Sequence, residues 1–388
     1  MSLTQRVFSG AAMQLGVQLF NRLVGLISTL ILARLLVPSD FGIVAIVVIV
    51  IQFFETLSDA GTHNYVVQKS ELDDQDLNTA FSIEVMLKSL IAVALVPGAW
   101  WVGQWYALPE LYPALLVASL AMLARACRNP GYSVLIKEID YNAIFKLSLA
   151  QKAAGFVITV GWALISPSFW ALIAGELVGT VLFTVGTYRI HAHRPKFTLA
   201  KMKEQWLFSQ WSLLRGFVGF VRSQLDTIMV SRLFSPTQLG AYHLQRDLAV
   251  MPALLVVMPA MEPLMAALAK SKDDTELFAF RFRVAFLFLF ITLLPLTGIL
   301  WNFSEGITLI ALGEQWVEYH ELIKYFSLLF ITYCLFGLVA DSFVALGKIR
   351  ELFVYDVAST AFLAVMLFLL AGLDIVTFAF WRGVIGVL

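Results

Sequence analysis

The chain has 388 residues, 60% hydrophobic and 14% charged, with 27 Lys plus Arg against 27 Asp plus Glu and a mean hydropathy of +0.81. Soluble domains are roughly half apolar and a quarter charged, so the composition excludes one and indicates a multi-pass membrane protein. Balanced charge gives no footprint for nucleic acid, and Cys127 and Cys334, each within an apolar stretch, lack the CxxC or Cys/His spacing of a disulfide, redox or metal site.

The N-terminus, MSLTQRVFSGAAMQLGVQLF, runs straight into a full-length apolar segment without a cleavage-site pattern, so no cleaved signal peptide is expected. A bilayer core about 30 Å thick needs about 20 apolar residues per helix. That criterion predicts spans near 12–36, 41–66, 77–101, 112–136, 142–165 and 168–190, then 209–233, 240–268, 279–301, 320–346 and 352–372. The last segment, after Asp374, is shorter than a span and reads as an incomplete twelfth helix. Residues 191–208 are long and basic enough to form a linker, with an amphipathic turn or two at 201–208 lying at the interface. The predicted architecture is all-α and polytopic: an N-terminal lobe (1–190), a cytoplasmic linker (191–208) and a C-terminal lobe (209–388).

Basic residues resist translocation. With the N-terminus cytoplasmic, fifteen Lys and Arg, among them Lys69, Lys137, Lys146, Arg189, Lys201 and Lys272, fall on the inner side, against Arg34, Arg232 and Lys324 outside. That asymmetry predicts a cytoplasmic N-terminus.

ARLLVPSDFG (Ala33–Gly42) returns 198 positions later as SRLFSPTQLG (Ser231–Gly240), with Arg, Leu, Pro and Gly kept. In each copy an Arg closes one helix, a Pro stops it, Ser39 or Thr237 is placed to cap the next, and a Gly permits close packing. With six predicted helices per half, the two copies share one orientation. The expectation is therefore two six-helix bundles related by a parallel pseudo-two-fold repeat, the geometry of a transporter.

A charge at a helix centre costs about 2.5 to 3.5 kcal/mol on the lenient insertion scale and must face protein or water. Arg22 lies on a polar stripe with Gln14 and Gln18 and reads as either a cavity residue or half of an interhelical pair. Arg125 and Arg128 share a face beside a predicted kink at Asn129–Pro130, and two adjacent cations call for an anion or a carboxylate between them. Arg215, Arg222 and Asp226 align on the seventh span, where Arg222 and Asp226 can also neutralise each other at i,i+4. Arg246–Asp247 and Glu84–Lys88 read as structural pairs. Glu55, Asp59, Glu176 and Asp341 are acids at membrane depth and candidates for carrying a coupling proton or sodium ion. Trp100, Trp101, Trp105, Tyr106, Trp301 and Trp316 read as an outer interfacial belt.

The turn ARLLVPSDFG with LSDAGTHNYVVQ (Leu57–Gln68), QLDTIMVSRLFSPTQLGAY (Gln224–Tyr242) with the following VMPAM, and RNPGYSVLIKEIDYN (Arg128–Asn142) resemble the polysaccharide-transport (Wzx-like) flippases of the multidrug/oligosaccharidyl-lipid/polysaccharide exporter superfamily. The resemblance implies a MATE-like fold around a cationic cavity that moves undecaprenyl-diphosphate-linked oligosaccharides between leaflets for O-antigen, capsule or exopolysaccharide synthesis. Under it, Arg22, Arg125, Arg128, Arg215 and Arg222 are the expected anion contacts, and Asp59, Glu176 and Asp226 the expected coupling acids. It implies no enzyme activity and no cofactor beyond proton or sodium coupling. Its expected partners are lipid-linked oligosaccharide, membrane lipids and a polysaccharide polymerase or export machinery. A multidrug antiporter of the same superfamily would prefer an acidic, aromatic cavity. A polytopic polymerase or glycosyltransferase would need a sizeable loop bearing catalytic residues, and the loops predicted here are short. A noncatalytic scaffold would be served poorly by buried Arg.

Overall fold

The computed structural model describes residues 3–257, 261, 268 and 270–387, and no strand occurs among them. Fifteen α-helices follow in order: α1 (Leu3–Leu35), α2 (Pro38–Ser58), α3 (Thr62–Gln68), α4 (Asp74–Tyr106), α5 (Leu111–Ala126), α6 (Gly131–Lys137), α7 (Asn142–Ile165), α8 (Trp170–Ile190), α9 (Met202–Leu233), α10 (Pro236–Pro252), α11 (Thr275–Asn302), α12 (Ser304–Ala311), α13 (Glu321–Ala345), α14 (Ile349–Leu369) and α15 (Ile375–Val387). Eight helices among the described residues are long and apolar enough to cross a membrane, nine if α5 and α6, bent by 60°, form one broken span. The chain is a multi-pass helical membrane protein.

The other three predicted spans correspond to α9, α10 and α15. The first two carry Arg222, Asp226, His243, Arg246 and Asp247, so only a protein-facing environment suits them. The third, with 13 residues, rises about 20 Å, short of the 30 Å core.

Contacts divide the chain into two compact units, Met1–Leu36 with Ile43–Gln224, and Val37–Gly42 with Leu225–Leu388. The division falls inside α9 rather than at 191–208. There is no separate interfacial helix at 201–208, because α9 starts at Met202 and runs on for 32 residues.

The linker is instead held to the start of α4. Asp73 caps that helix, accepting from the Asp76 N–H at 2.8 Å. Lys201 Nζ lies 2.6 Å from Asp73 and 3.2 Å from the fully buried Asp76, which Lys69 Nζ also reaches at 2.8 Å. Glu204 accepts from Lys69 and from the Tyr65 hydroxyl, and Gln205 donates to the Asp76 carbonyl. Farther back, the Lys196 and Thr198 amides donate to Asn78 Oδ1 and Ser82 Oγ. The Lys201 ammonium holds the Asp73 carboxyl down at about 2, and the hydrogen bond that Lys69 donates to Asp76 raises the pKa of its ammonium above the usual range.

The second unit explains why one turn is written twice. In both copies the proline is the first helical residue, where its missing N–H costs nothing, so it opens the next helix as well as ending the last. The helix starts are not capped by Ser39 and Thr237. Ser235 caps α10, and Gln238 reaches back to its N–H at 3.2 Å; Asp40 reaches back to the Val37 N–H at 3.4 Å in the first copy. The two turns also meet. A Cβ on Gly42 would enter the Pro236 carbonyl, and a Cβ on Gly240 would enter the Pro38 carbonyl. Each glycine is required because the partner copy's backbone occupies the place of its side chain.

Two readings of single residues change. Trp316 is fully buried, edge-on to Phe41 at 5.4 Å, and belongs to the core rather than to an outer belt. Trp100, Trp101 and Trp105 are exposed, as a belt requires. Cys334 is buried as a small apolar residue, but Cys127 is exposed at the end of α5, where the helix stops.

Gly42→Ala and Gly240→Ala should each destabilise the solubilised protein by roughly 1–3 kcal/mol, with less than additive loss together because the contact is shared. Gly161→Ala, which meets nothing within 4 Å, should leave the melting temperature unchanged or raise it. Lys201→Met should lower the melting temperature at pH 7. Because Asp73 titrates lower when folded than its ordinary value of 3.8, the pair stabilises above that value and is lost as pH falls. The gap between wild type and variant should therefore close as pH drops from 4 toward 2.

Candidate functional site

In the first unit the span α5–α6 is bent by 60° at a break, α2 ends four residues before α3 begins, and a cavity is lined by residues beside both places. α2 ends at Ser58, whose hydroxyl turns back to the Phe54 and Glu55 carbonyls. Asp59 Oδ1 then accepts from the Gly61 N–H at 3.0 Å, and Gly61 takes a left-handed conformation (φ 62°) that leads into α3. α5 ends before Asn129–Pro130, the predicted kink. Asn129 is buried and fully used: its N–H donates to Thr187 Oγ1, its side-chain oxygen accepts from the Gly131 N–H, and its amide nitrogen donates to the His193 carbonyl. A contact of 2.6 Å between His63 Nδ1 and Ser133 Oγ ties the two short helices α3 and α6 together. Irregular backbone at membrane depth is tolerated where it is buried in protein or lines a water-filled cavity.

The cavity measures about 830 Å³ and is walled by α2, α3, α4, the end of α5 and the start of α6, and α9. Its charged lining is Glu55, Asp59, Glu84, Lys88, Arg125 and Arg128, three acids against three bases. Among the described residues the lining is thus balanced rather than basic. Most of the charges are spent on one another. Lys88 pairs with Glu84 at 2.5 Å, as the i,i+4 spacing predicts, and Glu84 also accepts from Thr62 Oγ1 at 2.8 Å. Arg125 is gripped by two carboxylates, with Nε 2.6 Å from Glu55 and a terminal nitrogen 2.8 Å from Glu176. The carboxylate demanded by two neighbouring arginines is thus supplied from α2 and α8, to Arg125 alone.

Arg128 is different. No carboxylate among the described residues pairs with it, its Nε is buried without a hydrogen-bond partner, and its guanidinium carbon lies 4.7 Å from the centre of the Phe183 ring. A guanidinium stacked on an aromatic face keeps its in-plane donors available to an anion.

The remaining expected site residues fall elsewhere. Arg22 and Arg222 are half-buried on α1 and α9 and do not line the cavity. The side chain of Arg215 lies outside the described residues, as does that of Gln14. Of the three candidate coupling acids, Asp59 lines the cavity and Glu176 is engaged with Arg125. Asp226 belongs to a separate cluster in the second unit: it accepts from the Tyr242 hydroxyl at 3.2 Å and ion-pairs with Arg246 and Arg382, each at 3.4 Å. The sequence pointed Arg246 to its neighbour Asp247, which it meets only at 4.0 Å. The overlooked signal was Tyr242 and Arg246 one helical turn apart, which puts a hydroxyl and a guanidinium on one face of α10.

In double-mutant cycles read by thermal stability, Arg125–Glu55 should show a coupling of about 1–3 kcal/mol, between the exposed and buried limits for ion pairs. Arg125–Glu176, whose carboxylate side chain is 62% exposed, should show less than about 1 kcal/mol.

The fold is that of known lipid and drug exporters. The chain superposes on the lipid II flippase MurJ in its inward closed conformation with a TM-score of 0.76 at 14% identity, covering 97% of this chain and 85% of that one. An inward-facing MATE-family multidrug resistance transporter gives 0.72 at 10% identity, covering 97% and 96%. In sequence it is similar to the lipopolysaccharide biosynthesis protein WzxC of Escherichia coli K12, 27% identical over 87% of this chain and 68% of that protein. It is also similar to the succinoglycan biosynthesis transport protein ExoT of Rhizobium meliloti 1021, 24% identical over 74% of this chain and 58% of that protein. Their names describe biosynthesis and transport proteins, in keeping with a carrier rather than a catalyst. Residues 31–321, most of the chain, match the sequence profile of one family, and the chain belongs to it: the polysaccharide biosynthesis protein family.

Proposed function

We propose that this protein is a flippase that carries an oligosaccharide repeat unit on an undecaprenyl diphosphate from the inner to the outer leaflet of the cytoplasmic membrane. It works by alternating access, with its N-terminus in the cytoplasm, as the excess of Lys and Arg in the inner loops requires. The product feeds surface polysaccharide assembly, handed on to a polymerase or export machinery.

One observation carries the reading: Arg128, a cation in the cavity wall beside a broken span, has a buried donor without a partner. A diphosphate supplies acceptors for such a donor, and charge-assisted contacts of this type are about twice as strong as neutral ones. The broken span α5–α6 fits the rule that transporters bind cargo where membrane helices are interrupted. Serine, threonine and glutamine side chains on the same walls, including Gln52, Thr56, Ser133 and Gln224, offer hydrogen bonds to sugar hydroxyls. Among the acids, Asp59 is the best placed coupling residue, since it lines the cavity and forms no ion pair among the described residues.

In proteoliposomes loaded with a fluorescent undecaprenyl-diphosphate oligosaccharide, Arg128→Gln should slow translocation at least tenfold. Arg128→Lys should recover part of the rate, because an ammonium restores the charge without the guanidinium fork. Full-rate transfer by well-folded Arg128→Gln would remove the assignment. Runs with and without a proton or sodium gradient test coupling, and Asp59→Asn should abolish any gradient dependence.

A further inference from the structure

A second site in the first unit shares no lining residue with the cavity. α7 and α8 approach closely through glycines: a Cβ on Gly175 would enter the Thr159 side chain, a Cβ on Gly179 would lie 3.2 Å from the Gln151 carbonyl, and one on Gly186 would enter Leu147. Gly175 and Gly179 are spaced as the small-residue pairs that bring membrane helices together. Alongside this seam runs a groove of about 990 Å³. One wall is the α8 stripe Val178, Val181 and Val185, which are 39%, 43% and 52% exposed, and the facing wall includes Ala150. The groove's charged residues are Lys146 and Arg189, at the start of α7 and the end of α8. Both are exposed, neither forms an ion pair among the described residues, and no acid lines the groove.

From Val178 to Ile190 the α8 wall rises about 18 Å, close to the roughly 15 Å of one leaflet's hydrocarbon. We propose that this groove binds an anionic phospholipid, with one acyl chain along the valine stripe and the phosphate between Lys146 and Arg189. Charge complementarity selects the lipid: two cations at the headgroup end, with no acid lining the groove, favour a phosphate bearing net negative charge over a zwitterion. The same residues belong to the basic set expected on the cytoplasmic face, where anionic lipids attract such clusters. The site is independent of the cargo cavity.

The test is native mass spectrometry of the full chain released from micelles containing phosphatidylglycerol and phosphatidylcholine of identical acyl chains. Wild type should retain phosphatidylglycerol about tenfold better. Lys146→Gln with Arg189→Gln should bring the two lipids to parity, Ala150→Phe should reduce retention of both, and Lys196→Gln, a basic residue on the linker outside the groove, should change nothing. The charge-retaining swap Lys146→Arg with Arg189→Lys should keep the preference, which separates a lost site from a lost fold. Equal retention by wild type, a preference that survives the double neutralisation or vanishes in Lys196→Gln, or displacement by glycerol phosphate alone would overturn the proposal.

Discussion

The governing constraint is that a guanidinium inside a membrane bundle must be met by something negative or by water, since burying it alone costs at least about 2.5 kcal/mol. The structure answers in two ways. Arg125 is clamped between Glu55 and Glu176, and in the second unit a single carboxylate, Asp226, serves both Arg246 and Arg382. These groups are committed to holding helices together, and their removal leaves partners stranded. Among the described cavity residues Arg128 is an exception, because its charge is stacked on Phe183 and its Nε donor is unspent.

Around that exception the helices are deliberately interrupted. The break after Ser58 depends on an aspartate that turns back to the Gly61 amide, and the break after Ala126 depends on Asn129 satisfying three backbone groups. Both interruptions place short helices, α3 and α6, against the cavity instead of continuing apolar helix past it. The linker from His191 onward is drawn into the same unit by its hydrogen bonds to Asn78, Ser82 and Asn129. The start of α9 is thereby fixed to the start of α4 by the Lys69, Lys201 and Asp76 network.

The described lining of the cavity carries as many acids as bases. With Glu84 neutralising Lys88 and Glu55 neutralising Arg125, the described cavity charges left without an ion-pair partner are Arg128 and Asp59. A planar guanidinium such as that of Arg128 pairs best with two oxygens held at fixed separation.

The amino-acid sequence by itself determined the all-α membrane class, most helix limits, the kink at Asn129–Pro130, the Glu84–Lys88 pair and the duplicated Pro/Gly turn. All of these follow from hydropathy, proline geometry or neighbours three and four residues apart, which are local properties. It also singled out Arg125, Arg128, Asp59, Glu176 and Asp226, because a charge within an apolar run stands out wherever it goes. Only the tertiary structure decided which of those charges are spent. Glu55 is 70 residues from Arg125 and Arg382 is 156 residues from Asp226, so no periodicity announces either pair. The same holds for the mutual fit of Gly42 with Pro236 and Gly240 with Pro38: the repeat was visible in the sequence, but its cause is a backbone-to-backbone contact that exists only once the helices have packed.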